Sequence, residues 1–434
     1  MESEDVSTAT PASVGEHVLP QSPRRSRRLA PAVTPVRTTD LAAGALGQLT
    51  GRGRDDFRRQ LVSFLDADSA GTYTSVRHAL YNCLLTLAAA DDTGATEVLI
   101  PAFCSADFPV AIEAAGLQER RYDIDPETLA ADMDSVTALP TENALALIAV
   151  NVAGYSSPMD ELAEHCREVD VRLIEALGYA LGASYRGRRL GRFGDCSVLN
   201  FQQGKPVPVG GGMVVSQTPS LSFTDEGRPP VAPNVGALAG YAALGRPRPY
   251  AGYRAVSEWL ATHGRPTGRH STNPESAFDD DQLLFATMSD FQGRVASRVF
   301  NRRDRHQRHR AAAAADYRDG LADCNHLRVL RPVAGLTNHQ HVRFPVAIDT
   351  PDRRESVADA LSSIGVETTA LYDWPPIDGD RFPGAHRLQA EILTLPTHPY
   401  VDSADRQRVL RTVRAVLDTG DTDGHPVAAT VAHD

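Results

Sequence analysis

The stretch Ser197-Val-Leu-Asn-Phe-Gln-Gln-Gly-Lys205-Pro-Val-Pro-Val-Gly-Gly-Gly-Met-Val-Val215 decides how this chain is read. Ser197-Val-Leu199 is a short buried strand and Met213-Val-Val215 is another. Between them lies a turn that carries Lys205, followed by three glycines, Gly210, Gly211 and Gly212. Glycine lets backbone approach a ligand closely, and a turn at a strand end presents its side chain where α/β sheets bind ligands.

Lys205 is the only lysine among 44 Lys plus Arg residues, so 43 are Arg. A lysine kept where arginine is otherwise used points to chemistry arginine cannot do. A guanidinium stays protonated, whereas a lysine amine can lose its proton and attack a carbonyl.

Outward from this turn the pattern alternates. Val98-Leu-Ile100, the apolar run 144–152, Val171 to Ile174 and the two strands above are predicted strands. Segments 107–115 and 159–169 are predicted helices. Such alternation predicts a mostly parallel sheet with helices on both faces. A long helix is predicted over 281–317, with its 302–310 part a solvated face, and 218–274 is read as an insertion or loops. A strand at 342–348 and helices at 354–364 and 405–417 follow. The resulting division is a polar tail over 1–33, a large α/β domain over 34–300, a smaller α+β domain over 301–418 and a second tail over 419–434.

Length and composition bound the function. The chain has 434 residues, 42% apolar and 23% charged, as soluble enzymes do. A net charge of -11 argues against nucleic acid as the default partner. The Arg24, Arg25, Arg27, Arg28 cluster is read as part of a solvated tail. No apolar run of about 18 residues predicts a membrane span, and no apolar leader is present. Five scattered cysteines without a CxxC pair predict reduced thiols in a cytoplasmic protein and no zinc site.

Several blocks, in order, carry a resemblance. They are Ser75-Val-Arg-His-Ala-Leu80, Val98-Leu-Ile-Pro-Ala-Phe103, Tyr122-Asp-Ile-Asp-Pro-Glu-Thr-Leu129, Ile174-Glu175 with Ala180-Leu-Gly-Ala183, and Tyr185-Arg-Gly-Arg-Arg-Leu-Gly191. The Lys205 turn follows, then Phe382-Pro-Gly-Ala with Leu393-Thr-Leu-Pro-Thr-His-Pro399. Over residues 40–417 the chain resembles the DegT/DnrJ/StrS family of pyridoxal 5′-phosphate (PLP)-dependent sugar aminotransferases, of fold type I.

The resemblance implies a Schiff base between PLP and Lys205, which also shuttles the proton during transfer. It implies that the phosphate sits at the helix start near Ser75, with Arg77 and His78 beside it, and that Asn200 takes a phosphate-binding slot. It places Ser105 where relatives stack an aromatic on the ring, with Phe103 as a replacement, and Tyr179 where a Gln or His touches the cofactor. Relatives carry Glu-Asp where this chain has Glu175-Ala176, and that Asp meets the pyridine nitrogen. Glu175 cannot stand in, because adjacent strand residues face opposite ways. The family's Asn-x-Arg-Met block is not recognisable, and Asn273 is a poor candidate for it. The implied activity is transfer of an amino group from an amino acid such as glutamate to a nucleotide-linked keto-sugar, by a homodimer. Two other readings stay open: a PLP-binding scaffold that has lost turnover, and a PLP enzyme of another reaction type.

Overall fold

A computed structural model describes residues 27–223, 225, 227–262, 286–372 and 376–419. Arg24, Arg25 and Asn273, and residues 420–434 of the second tail, lie outside the described residues.

Seven strands form one sheet, in the order Ser69–Tyr73, Gly212–Ser216, Cys196–Asn200, Arg172–Ala176, Ala144–Val150, Glu97–Pro101, Gln118–Tyr122. Only Gly212–Ser216 runs antiparallel to its neighbours. Each strand alternates its apolar side chains between two cores, as period-two geometry requires. Ile148, Ile174 and Val198 pack under the helices Val76–Ala90 and Asp107–Ala114. Leu147, Leu173 and Leu199 face the opposite layer, built from Gly53–Leu65, Met159–Glu168 and Asp290–Phe300. The sheet is thus covered on both faces, as the parallel reading expects.

A second unit stacks a three-stranded antiparallel sheet, Leu327–Val329, Arg343–Ile348 and Ile392–Pro396, on the helices Arg303–Leu321, Pro351–Ser363 and Ser403–Thr419. No helix among the described residues is long and apolar enough to cross a membrane.

Four expectations need correction. Residues 27–33 are packed against the fold rather than part of a tail. Leu29 and Val33 are buried, and Leu29 bridges Val366. The predicted helix over 281–317 is two helices, Asp290–Phe300 and Arg303–Leu321. Ser289 and Gln292 form a reciprocal cap that starts the first, while Thr287 is tied to Thr72 alongside the sheet edge. In the 302–310 stretch, His306 and Arg310 are buried and Arg302 pairs with the buried Asp40, so the face is only partly solvated. Finally, 218–262 holds the helices Val231–Leu244 and Pro247–Thr262. Leu238 is the one fully buried apolar side chain of the first, so no amphipathic stripe advertises it.

Glu175 is fully buried on the face away from the Lys205 turn. Its carboxylate accepts N–H bonds from Gly191 (2.7 Å), Phe193 (2.5 Å) and Gly194 (2.9 Å). Burial pushes its pKa up, and these three donors oppose that rise. Replacing Glu175 with Leu leaves three N–H donors, one buried and two part-buried, without their acceptor, so it is expected to cost about 3 kcal/mol. A urea midpoint unchanged from the parent would refute this structural role.

Two buried histidines set an acid limit on stability. His398 donates from Nε2 to the Ala30 carbonyl (2.9 Å) and accepts at Nδ1 from Tyr400 N–H (3.4 Å), so it is held neutral. Burial pulls its pKa down to about 3, and burial with Arg310 and Arg302 nearby does the same for His306. Both folded values lie below the ordinary 6.5, so the stabilisation is complete above that pH and is lost as pH falls towards 3. Each residue should contribute about 1.4 kcal/mol per pH unit to that loss. Denaturant midpoints between pH 7 and 4 test the slope, which His398→Gln should flatten.

Candidate active site

The Lys205 turn leaves the Cys196–Asn200 strand at its C-terminal end and is closed by its own backbone. Lys205 N–H bonds the Gln202 carbonyl (3.1 Å), and Gly210 N–H bonds that of Phe201 (2.7 Å). Gly210 and Gly211 have φ of 77° and 93°, which favours glycine. The close approach that the glycines allow is to backbone rather than to an open site. A Cβ on Gly211 would lie 2.8 Å from the Tyr73 carbonyl oxygen, and one on Gly212 would lie 2.6 Å from that of Ser75. The glycines therefore press the turn against the start of the Val76–Ala90 helix, where the Ser75 hydroxyl caps His78 N–H (3.1 Å).

One cavity gathers the ends of four parallel strands. Val150 and Asn151, Ala176 with Gly178 and Tyr179, and Val198 with Asn200 come from three of them. Ser105, Asp107 and Phe108 follow the fourth, Glu97–Pro101, and Val76, Gln202, Lys205 and Tyr372 complete the wall. Lys205 is 5% exposed. Its Nζ lies on the face of the Tyr179 ring, 3.4 Å from the centroid. Burial holds the amine pKa well below its ordinary value, and the Arg343 guanidinium lowers it further, against a smaller opposing pull from Asp107. The shift favours the uncharged, nucleophilic form of the amine. At Gly178 a Cβ would sit 4.0 Å from Nζ, so the glycine leaves room beside the amine.

Of the residues read from sequence, Lys205, Ser105, Ala176, Tyr179 and Asn200 meet in this cavity. Arg77, His78 and Phe103 do not line it. Arg77 is held by Asp107 instead, Nε to Oδ1 at 2.5 Å, and Ser105 donates to the other carboxylate oxygen at 3.0 Å. His78 is buried edge-on to the Tyr73 ring at 4.9 Å, and Phe103 packs edge-on to Tyr372 at 5.1 Å. Asn200 Oδ1 accepts Gln202 N–H at 2.9 Å, which fixes the start of the turn.

Sequence reasoning missed Asn151, Asp107, Gln202 and Tyr372. Asn151 ends the apolar strand run, a position whose polarity was a usable signal. Its amide donates to the Ala176 carbonyl (3.1 Å), and its Oδ1 is buried with no partner among the described residues. The buried Tyr179 hydroxyl is likewise unpartnered there. A larger cavity of about 670 Å³ lies behind the turn, between residues 30–33, the Val231–Leu244 helix and Arg343, and shares Gln202 with the first.

Comparison with known proteins agrees with this geometry. GDP-perosamine synthase of Caulobacter vibrioides is 24% identical over 334 residues, which cover 74% of this chain and 79% of the synthase. The dTDP-4-dehydro-2,3,6-trideoxy-D-glucose 4-aminotransferase of Saccharopolyspora spinosa is 25% identical over 358 residues, 80% of this chain and 82% of that enzyme. Among solved structures, a putative sugar aminotransferase from Streptococcus pneumoniae, in its PLP form, superposes with a TM-score of 0.68 at 18% identity, over 90% of this chain and 99% of that one. The family model described as the DegT/DnrJ/EryC1/StrS aminotransferase family matches residues 38–224 and 263–414. The chain belongs to that family.

Proposed function

We propose that this chain is a PLP-dependent aminotransferase that holds its cofactor on Lys205 and moves an amino group from an amino acid such as glutamate to a keto-sugar, the sugar linked to a nucleotide. One observation carries the reading: the only lysine of the chain is buried in the cavity at the strand ends, where burial favours its uncharged form. The relatives' names, a perosamine synthase and a dTDP-sugar aminotransferase, support the substrate class. A homodimer is proposed by analogy with the fold.

The residues present fit the cofactor at its reacting end. Gly178 leaves space beside the amine, and two buried polar atoms lining the same cavity, Tyr179 Oη and Asn151 Oδ1, have no partner among the described residues. Bound there, PLP supplies an electron sink for the bond that must break. Lys205 would hold it through Nζ, and the same amine is the base placed to take up and return a proton. Tyr179, stacked on Nζ, fixes the direction of that amine. The N-terminal end of the Val76–Ala90 helix and the Asn200 amide would hold the phosphate. Arg77 acts at one remove, by compensating the Asp107 carboxylate that faces the same space. Phe108 and Tyr372 keep bulk water from one side.

Ala176 supports a second reading, a PLP-binding homologue of slow turnover or another reaction type. Without a carboxylate, the ring nitrogen has no anion to favour its cationic form, and Glu175 is committed to Gly191, Phe193 and Gly194.

Purified protein given PLP should show a visible band that borohydride abolishes, and Lys205→Ala should lose the band while keeping the parental fold. Retention of a reducible band in that variant would reject Lys205 as the attachment point. Ala176→Asp is expected to raise, by about tenfold or more, the single-turnover rate at which glutamate bleaches the band. No gain with PLP still bound would favour the slow-turnover reading.

A further inference from the structure

The chain segment before the first helix touches both units and the Lys205 turn. Arg27 pairs with Asp405 (2.5 Å) and donates to the Tyr400 carbonyl (2.9 Å). Leu29 N–H bonds the Gly365 carbonyl, Glu367 N–H bonds that of Leu29, and His398 holds Ala30. These contacts fasten the segment to the carboxy-terminal unit. Ala32 then lies against Gly204, where a Cβ would come within 3.3 Å, next to Lys205 itself.

Thr34 makes the decisive contact. It is fully buried, its N–H donates to the Tyr241 hydroxyl (3.0 Å), and its own hydroxyl donates to the Lys205 carbonyl (2.7 Å). Arg310, on the Arg303–Leu321 helix, donates from a terminal nitrogen to the same hydroxyl. The direction of the relay is fixed. A guanidinium can only donate, so the hydroxyl accepts from Arg310 and spends its single proton on Lys205. Pro206 follows Lys205 and has no N–H, which removes one means of holding this peptide from within the turn.

Arg310 is 1% exposed, and among the described residues no carboxylate pairs with it. An uncompensated buried cation is costly. Its retention on a hydroxyl that grips the lysine backbone points to a task beyond packing.

We propose that residues 27–36 form a strap that positions Lys205, with Thr34 as the positioning residue and Arg310 acting through it. The strap links the placement of the carboxy-terminal unit to the placement of the amine. This inference rests on the reading of Lys205 as the point of cofactor attachment.

The test compares Thr34→Val, which keeps the shape and drops the donor, with Thr34→Ser, which keeps the donor. PLP is added to each full-length protein, and the rate of appearance and the visible circular dichroism of the reducible band are followed. Thr34→Val should form the band about fivefold more slowly and with weaker dichroism, because the bond to the Lys205 carbonyl and the acceptor for Arg310 are both lost, and Thr34→Ser, which keeps both, should match the parent. A merely structural role would lower the melting temperature without changing the dichroism of the band that forms. If Thr34→Val does not fold, Arg310→Gln, which still donates, and Arg310→Leu, which does not, carry the same comparison. Equal rates and dichroism within a pair overturn the strap alone. A parent that forms no reducible band overturns the cofactor reading, and the strap with it.

Discussion

Burial of a single amine organises this molecule. An ammonium ion taken out of water is expensive, and the cheaper state is a neutral amine. Favouring that state requires a site that is dry and rigid enough not to let the side chain swing back to solvent. The sheet supplies the rigid floor, since four parallel strands end around Lys205. The Tyr179 ring covers the amine, and Asp107, the nearest anion in the cavity wall, is neutralised by Arg77. Even the glycines serve this placement, by letting the turn lie directly on the backbone of Tyr73 and Ser75.

The same constraint explains the division of labour between neighbouring residues on one strand. Glu175 and Ala176 differ by one position and face opposite layers. The former holds three amides of the 191–194 turn, so its loss threatens the fold. The latter opens on the cavity, so it is free to vary with the chemistry. One strand thus carries a structural carboxylate on one face and a cavity-lining residue on the other.

How far this was legible in the sequence depended on whether a signal was local. Strands such as Ala144–Val150 were plain because burial on both faces leaves an unbroken apolar run. The direction of Glu175 followed from strand alternation alone, and the identity of Lys205 from composition. The pairing of Arg77 with Asp107 was not legible, because Asp107 lies thirty residues on and meets it only in the folded layer. Tyr372 comes from another part of the chain and left no local mark. The helices Val231–Leu244 and Pro247–Thr262 were missed for a different reason: with most of their surface at least partly exposed, they carry little periodic apolar pattern. The strap was hidden in a segment whose polar composition resembles a tail, although Leu29 and Val33 are core residues.

The scarcity of lysine also has an outward consequence. Every other cationic side chain is a guanidinium or imidazole, and the one lysine amine is 5% exposed. To reagents that acylate or cross-link amines, the folded surface of the described residues offers no exposed lysine. A lysine that reacts under mild conditions would report opening of the cavity rather than surface chemistry.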